Sequence, residues 1–360
     1  MNVTFLIGNG FDLACGLKSK YLDSYDGYTT SASSSVAVEK FKKSIERNNL
    51  TWADFEMQLA KYASEFETEE ELLMCLRDYN AYLNDYLYLE QLRFWNNHKD
   101  VIVQKNAVLY EVGRSLTQFY YGLTNNDVND ISSIINSDGK VDYSFISFNY
   151  TDILDRLVKG AYDLGYLSSS DSSLVISISE VIHIHGMLRR DMVMGIDNER
   201  QLSSHSYKIT RRARRSLIKP VFLQSYDQSR LDNAINIIEK SNIICIFGLS
   251  LGDSDLTWRK LLAQWLKSNR DHHLVYYNHS NMIKTYHSSA ITKKMDDEED
   301  GKEDFFSLLY NETIEEEKES ILNRIHIPVG MKLFNIDDAL FEQAKIDQKK
   351  NEMRAKLYSG

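Results

Sequence analysis

The segment that most constrains the fold lies at the start of the chain, where an apolar run leads directly into closely spaced glycines. Residues 3–7 read Val-Thr-Phe-Leu-Ile, and Gly8, Asn9 and Gly10 follow. A strand, a glycine turn and a helix start in this order are typical of the first unit of an open α/β sheet. Glycine lets the backbone approach a phosphate closely, and the positive end of the helix dipole favours the negative charge. The segment therefore predicts an α/β fold with a candidate phosphate-binding turn.

The spacing of the glycines argues against an ordinary dehydrogenase. Gly8, Gly10 and Gly16 form G-x-G-x-x-x-x-x-G, whereas the dehydrogenase pattern is G-x-G-x-x-G with an acidic ribose partner about 20 residues further on. Residues 28–35 read Tyr-Thr-Thr-Ser-Ala-Ser-Ser-Ser and supply no such acid. A tight turn in an α/β core gives the same local pattern, so the turn alone does not define a nucleotide site.

Size, charge and cysteine content exclude several classes of protein. The 360 residues allow two domains or one large α/β domain with an insertion. A net charge of −10 argues against an extended nucleic-acid interface. Cys15, Cys75 and Cys245 form no C-x-x-C pair, which excludes a zinc ribbon. With no signal peptide and no apolar run long enough to span a bilayer, we expect a cytoplasmic protein without a metal site.

Residues 36–123 have the apolar spacing of amphipathic helices, and we expect these residues to form the core of a helical insertion. The apolar positions are Trp52, Phe55, Leu59, Tyr62 and Phe66 in one part, and Leu109, Val112, Leu116 and Phe119 in another. Glu56 is flanked by the first stripe; it is predicted to face solvent, and the alternative is that it reaches a site. The basic cluster Arg211–Arg215 is predicted to be a solvated helix face or an oligomer contact.

The remaining strands are predicted from short apolar runs that end in polar or turn residues. These runs are 143–148, 174–178, 181–184, 192–196, 242–247 and 273–277. Thr151 or Asp152 is a candidate cap for one following helix, and Asp253 or Ser254 for another. Residues 296–300 form an acidic block that we expect in a solvated loop, and 343–356 form a predicted charged helix.

Four strand ends carry turn or polar residues in the order found in sirtuins. In sirtuins the motifs G-A-G-x-S-x-x-x-G-[IL]-P, T-Q-N-x-D, H-G and G-T-S each follow a strand. The residues of this chain that match are Gly8, Gly10, Gly16, Leu17, Asn149, His185, Gly186, Gly248 and Ser250. The chain thus resembles the NAD-binding core of sirtuins.

Longer matches point to a narrower family. The runs I-G-N-G-F-D-L-A-x-G-L, F-N-Y-T-D, I-H-G and G-x-S-L-x-x-S-D occur in this order. With them the chain is similar to the AbiH family of bacterial abortive-infection proteins, which are sirtuin-like and associated with phage defence. The resemblance covers the chain from Val3 to about Tyr277.

The resemblance implies a sirtuin-like, Rossmann-type, mainly parallel sheet with a large helical insertion and no zinc ribbon. It places this core at residues 1–30 and 140–335, the helical insertion at 31–139 and a charged helix at 336–360. By analogy with sirtuins, Asn149 binds the nicotinamide ribose and orients water, and His185 acts as general base. The residues expected to bind NAD are Gly8, Asn9, Gly10, Phe11, Asp12, Gly248, Ser250 and Asp255.

Some of these roles have alternatives. Asp12 is expected either to bind a ribose hydroxyl or to cap its helix, and Ser250 to contact phosphate or the adenosine ribose. His183, two residues before His185, is expected to be structural. Metal binding by His272 and His273 is disfavoured because adjacent strand residues point to opposite faces.

The departures from sirtuins affect the predicted reaction. Residues 18–21, Lys-Ser-Lys-Tyr, replace the sirtuin P-D-F-R segment, which makes protein deacylation doubtful and leaves water as the natural nucleophile. We expect hydrolysis of NAD to ADP-ribose and nicotinamide as the effector of an antiphage system. The alternative is a sensor that binds NAD or an ADP-ribose-like nucleotide without cleaving it. Because such an enzyme must be silent until infection, we expect regulation by homo-oligomerisation, or by a phage or host protein that contacts the helical part.

Overall fold

The computed structural model describes residues 1–98, 107–167, 174–203, 207–278, 291–310, 315–340 and 345. Among these residues, six strands form one sheet in the order β3-β2-β1-β4-β5-β6, and every neighbouring pair is parallel. The strands are β1 (Asn2–Ile7), β2 (Lys140–Ser147), β3 (Val175–His183), β4 (Ile243–Phe247), β5 (His273–Tyr277) and β6 (Ile325–His326). This order is that of doubly wound, Rossmann-type sheets. The predicted α/β fold with a mainly parallel sheet is confirmed.

The two central strands are buried on both faces. All five residues of β4 are buried, as are five of the six in β1. Such continuous apolar runs are typical of central parallel strands covered by helices on both sides. Ile7, the last residue of β1, is in register with Ser147 of β2 and Phe247 of β4. The carboxyl ends of the three strands therefore meet at one level, at the point where the strand order reverses.

Helices cover both faces of the sheet and form a third layer. They are α1 (Gly10–Ala14), α2 (Tyr21–Thr30), α3 (Val36–Arg47), α4 (Phe55–Tyr62), α5 (Glu69–Asn97), α6 (Ala107–Thr117), α7 (Asn125–Asn136), α8 (Ile153–Asp163), α9 (Arg211–Leu217), α10 (Lys219–Tyr226), α11 (Gln228–Lys240), α12 (Leu256–Ser268), α13 (Ile291–Leu309) and α14 (Glu315–Leu322). No described helix has the length and apolar character needed to cross a bilayer.

Alternate side chains of β1 enter different hydrophobic cores. Phe5 packs with residues of α6, α7 and α8 on one face, and Leu6 packs with residues of α11, α12 and α13 on the other. This division follows from the two-residue side-chain period of a strand. Each face of the sheet is thereby covered by helices.

A separate aromatic core lies in the helical layer formed by α2, α3, α4, α5 and α9. The Phe55 and Tyr79 rings stack at 4.0 Å between centroids, and Phe41 meets Trp52 edge to face at 5.2 Å. The predicted buried stripe in this region is confirmed, since Trp52, Phe55 and Leu59 are at most 2% exposed; Tyr62 of the same stripe is partly buried. The predicted insertion 31–139 is not one packing unit, because α6 and α7 pack on the sheet, while α2 joins the helical layer.

Several predicted elements differ from the structure. Residues 174–178 and 181–184 belong to a single strand, β3, in which the pairing register shifts between Tyr143 and Phe145 of β2. Residues 192–196 are not a strand, and Ile196 makes only an isolated bridge to Ile218. The acidic block 296–300 lies within α13 rather than in a loop, because the apolar residues that follow it bury one face of a continuous helix.

The ends of two helices also differ from prediction. Asp253 and Ser254 form a short 3₁₀ turn, and α12 begins after Asp255. Asp152 precedes α8 without a capping side-chain bond. Of the predicted charged helix, residues 336–340 are helical, and 343–356 lie outside the described residues except for 345.

Candidate functional site

Two glycine turns meet backbone to backbone where β1 and β4 end. The Gly8 N–H donates to the Phe247 carbonyl at 2.9 Å, and the Gly10 N–H donates to the Gly248 carbonyl at the same distance. A Cβ on Gly10 would lie 2.4 Å from the Gly248 Cα, and Gly248 has a φ of +68°. The missing side chains therefore let the two turns touch. The backbone N–H groups of Gly8, Gly10 and Phe11 all donate to protein carbonyls. They are therefore already engaged and do not donate hydrogen bonds to a phosphate.

Two adjoining cavities open on either side of this contact. The first has a volume of about 390 Å³ and the second about 660 Å³. The residues that line both cavities are Asn9, Lys20, Gly248, Leu249 and Ser250. The pair of cavities spans the reversal point of the strand order, which is where open α/β sheets bind ligands.

The predicted site residues are distributed between these cavities. Asn149, His185, Asp12 and Asp255 line the first, and Gly10 lines the second. Asn9, Gly248 and Ser250 lie at the boundary. Gly8 and Phe11 are not among the lining residues. Phe11 is fully buried with its ring edge to face against Phe334, 5.2 Å between centroids, so it supports the site from the core.

The Asn149 side chain is held in one orientation. Its Nδ2 group donates to the Gly8 carbonyl and to Asp12 Oδ1, both at 3.1 Å. Both amide hydrogens are thus engaged, and the side-chain oxygen is the atom left to accept a hydrogen bond from a ligand. Asp12 also accepts from Thr151 Oγ1 at 2.9 Å. Asp12 therefore positions Asn149 and is not a helix cap. The Thr151 hydroxyl donates to Asp12 and does not cap α8.

Burial is the main influence on Asp12. It raises the pKa of this carboxyl group to about 7, against the opposing hydrogen bonds from Thr151 and Asn149. A carboxylate without a counter-ion is costly to bury. The charge of Asp12 therefore changes near neutral pH.

His183 holds the main chain at Asn149. Its Nδ1 donates to the Asn149 carbonyl and its Nε2 to Asp155 Oδ2, both at 2.9 Å. Burial disfavours the charged ring, but the Asp155 carboxylate outweighs burial, so the pKa of His183 is raised. Because both ring nitrogens face acceptors, His183 is an imidazolium that anchors the loop, consistent with the predicted structural role.

His185 faces the first cavity and is uncharged. Burial, together with the Lys219 ammonium, holds the pKa of this imidazole well below 6.5. The ring packs edge to face on Phe148, 5.3 Å between centroids. Gly186 follows with a φ of +76°, and a Cβ there would lie 2.0 Å from the Asp191 carbonyl oxygen. The glycine of the H-G pair is thus needed to turn the chain after His185.

The first cavity also holds a buried ionic cluster that the sequence did not reveal. Lys219 Nζ lies 2.8 Å from Glu56 Oε2 and 3.4 Å from Asp255 Oδ1. Glu56 Oε1 accepts from the Gly195 N–H at 2.9 Å. The prediction that Glu56 faces solvent is wrong, because its side chain is 7% exposed and is buried by this pairing. Asp255, a predicted NAD-binding residue, lines the cavity.

The ionisation of this cluster follows from burial and pairing. Burial raises the pKa of Glu56, and the Lys219 ammonium counteracts it. For Lys219, burial alone would lower the pKa, but Glu56 and Asp255 outweigh burial and raise it. Lys219 therefore stays protonated throughout the neutral range.

Ser19, Lys20 and Tyr21, which follow the first glycine turn, line the first cavity. Ser19 Oγ donates to Asn9 Oδ1 at 2.5 Å, and Asn9 Nδ2 donates to the Ser19 carbonyl at 3.2 Å. Lys20 lies beside them, exposed, and lines both cavities. The boundary therefore offers a lysine and the Ser250 hydroxyl to an anionic ligand.

Comparison with known proteins identifies the family. The family model described as bacteriophage abortive infection AbiH matches residues 4–277, more than half of the chain and the range that contains all the predicted site residues. No curated protein matches the chain, and no solved structure does. Membership implies a role in phage abortive infection. On this match and the α/β architecture that accompanies it, the chain belongs to the AbiH family.

Proposed function

We propose that the protein is an NAD glycohydrolase that acts as an effector of abortive infection by cleaving NAD to nicotinamide and ADP-ribose. The observation that carries the proposal is the first cavity, where Asn149 presents a side-chain oxygen and His185 is neutral. The cavity lies at the reversal point of a Rossmann-type sheet beside a second cavity. Two joined cavities suit a ligand with two nucleoside halves.

In this proposal the nicotinamide riboside occupies the first cavity and the adenosine occupies the second. The diphosphate lies at their boundary, where Lys20 supplies positive charge and Ser250 a hydroxyl donor. Asn278 and Tyr276 line the adenosine side. The glycine turns contribute by their close contact, which keeps side chains out of the space between the cavities.

Cleavage needs little acid assistance. The bond between the ribose C1′ and the nicotinamide nitrogen breaks, and its electron pair neutralises the pyridinium, so the base leaves as neutral nicotinamide. The sugar passes through an oxocarbenium-like state that water captures at C1′, and the proton lost by water completes the balance. In this scheme the Asn149 oxygen accepts a hydrogen bond from the ribose or the water, and His185 takes the proton.

A weak base is sufficient for that last step. Water becomes strongly acidic as it bonds to an electron-deficient carbon, so even an imidazole with a lowered pKa can accept its proton. The proton then passes to solvent. Neutrality of His185 at the start also avoids placing a positive charge beside the positively charged ring.

The test is the release of nicotinamide from NAD by purified wild-type protein, Asn149→Ala and His185→Ala. We expect release by wild type and a loss of about 100-fold or more in each variant. His98→Ala, which alters a histidine at the end of α5 outside both cavities, is the matched control and should retain activity. Release that is unchanged in both site variants would contradict the proposal.

A second candidate is a sensor that binds the nucleotide without cleaving it. The strongly lowered pKa of His185 favours this alternative, because a very weak base also suits a site that only binds. NAD binding without nicotinamide release, under conditions that reproduce phage infection, would support the sensor.

We also propose that activity is restrained until infection, because depletion of NAD harms the host. The restraint is oligomerisation, or a phage or host protein acting on the helical layer. Full activity of the protein in uninfected cells would contradict this part of the proposal.

A further inference from the structure

The enclosed part of the first cavity carries more negative than positive charge. Two carboxylates, Glu56 and Asp255, share one ammonium, Lys219, and these side chains are only 7%, 12% and 6% exposed. The other charged cavity residues lie apart from this cluster: Asp54 is exposed and caps α4, and Lys20 is exposed at the boundary. Asp12 is buried beside Asn149 and Thr151, where burial raises its pKa to about 7, so any charge it carries adds to the negative charge of the cavity. The formal charge of the buried cluster is therefore −1.

This excess charge is not needed to neutralise Lys219. Lys219 is already paired with Glu56 at 2.8 Å, and Glu56 has a further hydrogen bond from the Gly195 amide. A second carboxylate 3.4 Å from the ammonium adds a buried charge with no cation of its own. Such a charge is costly unless something in the cavity compensates it. A positively charged ligand group in contact with the cavity would do so.

We propose that the Glu56–Lys219–Asp255 cluster makes the first cavity selective for dinucleotides whose ring is positively charged, so that oxidised NAD binds more tightly than NADH. This inference rests on the proposed function for the identity of the ligand. The oxidised nicotinamide ring carries a positive charge and the reduced ring does not, while the rest of the two molecules is the same. In a poorly solvated cavity, a single charge difference changes affinity substantially.

The cluster is also placed to act during the reaction. As the glycosidic bond breaks, positive charge moves from the ring to the sugar, within the same cavity. A fixed negative cluster supported by Gly195 and Lys219 does not reorganise during this movement. Glu56 and Asp255 are thus specificity-determining residues, while the reacting atoms are handled by Asn149 and His185.

The experiment measures dissociation constants for NAD and NADH by calorimetry. It uses a His185→Ala background, which prevents turnover and removes no charge because His185 is neutral. We expect NAD to bind about tenfold or more tightly than NADH. Asp255→Asn should bring the ratio close to one by weakening NAD binding and leaving NADH binding unchanged. Glu56→Gln should shift the ratio in the same direction and serves if Asp255→Asn does not fold.

Asp253→Asn is the matched control. Asp253 lies two residues from Asp255 in the same 3₁₀ turn, but its side chain is 71% exposed and contacts Arg259 at 3.3 Å. This variant should retain the selectivity of the parent. A merely structural role for the cluster would weaken the binding of both dinucleotides equally in Asp255→Asn.

Equal affinity of the parent for both dinucleotides, binding of neither, or a ratio that survives both Asp255→Asn and Glu56→Gln would overturn the inference. The nicotinamide-release assay separates this result from the proposed function. Selective binding without release overturns the glycohydrolase alone, whereas release without selectivity overturns the charge inference alone.

Discussion

Glu56 and Lys219 are separated by 163 residues in the chain, yet their side chains form a 2.8 Å ion pair inside the first cavity. Glu56 belongs to α4 of the helical layer, and Lys219 begins α10. The ion pair therefore links α4 of the helical layer to the start of α10, and Lys219 in turn contacts Asp255 just before α12. Its loss should affect stability as well as ligand binding.

Lys219→Met should destabilise the protein by about 3–5 kcal/mol, because Glu56 and Asp255 would remain buried without their cation. Urea denaturation measures the change in the free energy of unfolding. Adding Glu56→Gln should recover part of the loss. Lys43→Met removes an exposed pair with Glu39 and should leave the midpoint unchanged. A Lys219 variant as stable as the Lys43 control would contradict the importance of the pair.

Asp12→Asn should change how stability depends on pH. The folded-state pKa of Asp12 is raised from 3.8 to about 7, so its stabilising contribution is complete below pH 3.8 and is lost as pH rises through about 7. Between pH 5 and pH 8 the wild type should lose about 2 kcal/mol through this group, and Asp12→Asn should not. If the unfolding free energies of the wild type and Asp12→Asn change with pH by the same amount across this range, the carboxylate is not buried as described.

The pH dependence of nicotinamide release should reflect a neutral His185. Because burial and Lys219 hold its pKa well below 6.5, the unprotonated base is present throughout the neutral range. We expect kcat/KM to stay level from pH 7 down past pH 6.5 and to fall only at lower pH. The measurement uses Asp12→Asn, because the Asp12 carboxyl group itself titrates near pH 7. A decline centred at or above pH 6.5 in initial rates of this variant would argue against His185 as the base.

Gly10→Ala should destabilise the protein by about 2 kcal/mol or more, because the new Cβ would lie 2.4 Å from the Gly248 Cα and force the two turns apart. Gly252→Ala is the control. Gly252 has a φ of −62°, and the nearest atom to its added Cβ is the Ser250 hydroxyl oxygen at 3.9 Å. Thermal denaturation should separate the two variants, and similar midpoints would contradict the tight contact between the turns.

Much of the architecture follows from local sequence. The buried runs that became β1, β2, β4 and β5 are apolar and end in turn residues, so their place in a parallel sheet could be predicted. Residues 192–196 are just as apolar, but they pack in the helical layer without forming a strand. Burial explains why the strands and residues 192–196 are all apolar. Whether an apolar segment pairs as a strand depends on neighbours that are distant in the sequence, and the local pattern does not reveal them.

The site was only partly accessible from sequence. Asn149 and His185 follow strands, so the geometry of the sheet brings them together. Glu56 lies in the middle of an amphipathic helix, where a charged residue ordinarily faces solvent, and its partner Lys219 precedes a proline at a helix start. Nothing local links the two residues. The one available signal was the position of Glu56 between buried aromatic residues.

The contact between Gly10 and Gly248 has a consequence for synthesis of the protein. β1 is translated well before both of its neighbours in the sheet, β2 and β4. The nascent chain therefore cannot assemble either cavity until translation has passed residue 248. If the protein consumes the NAD of its own host, a copy that ends before residue 248 lacks this contact and is harmless, so toxicity begins only after the fourth strand has been translated.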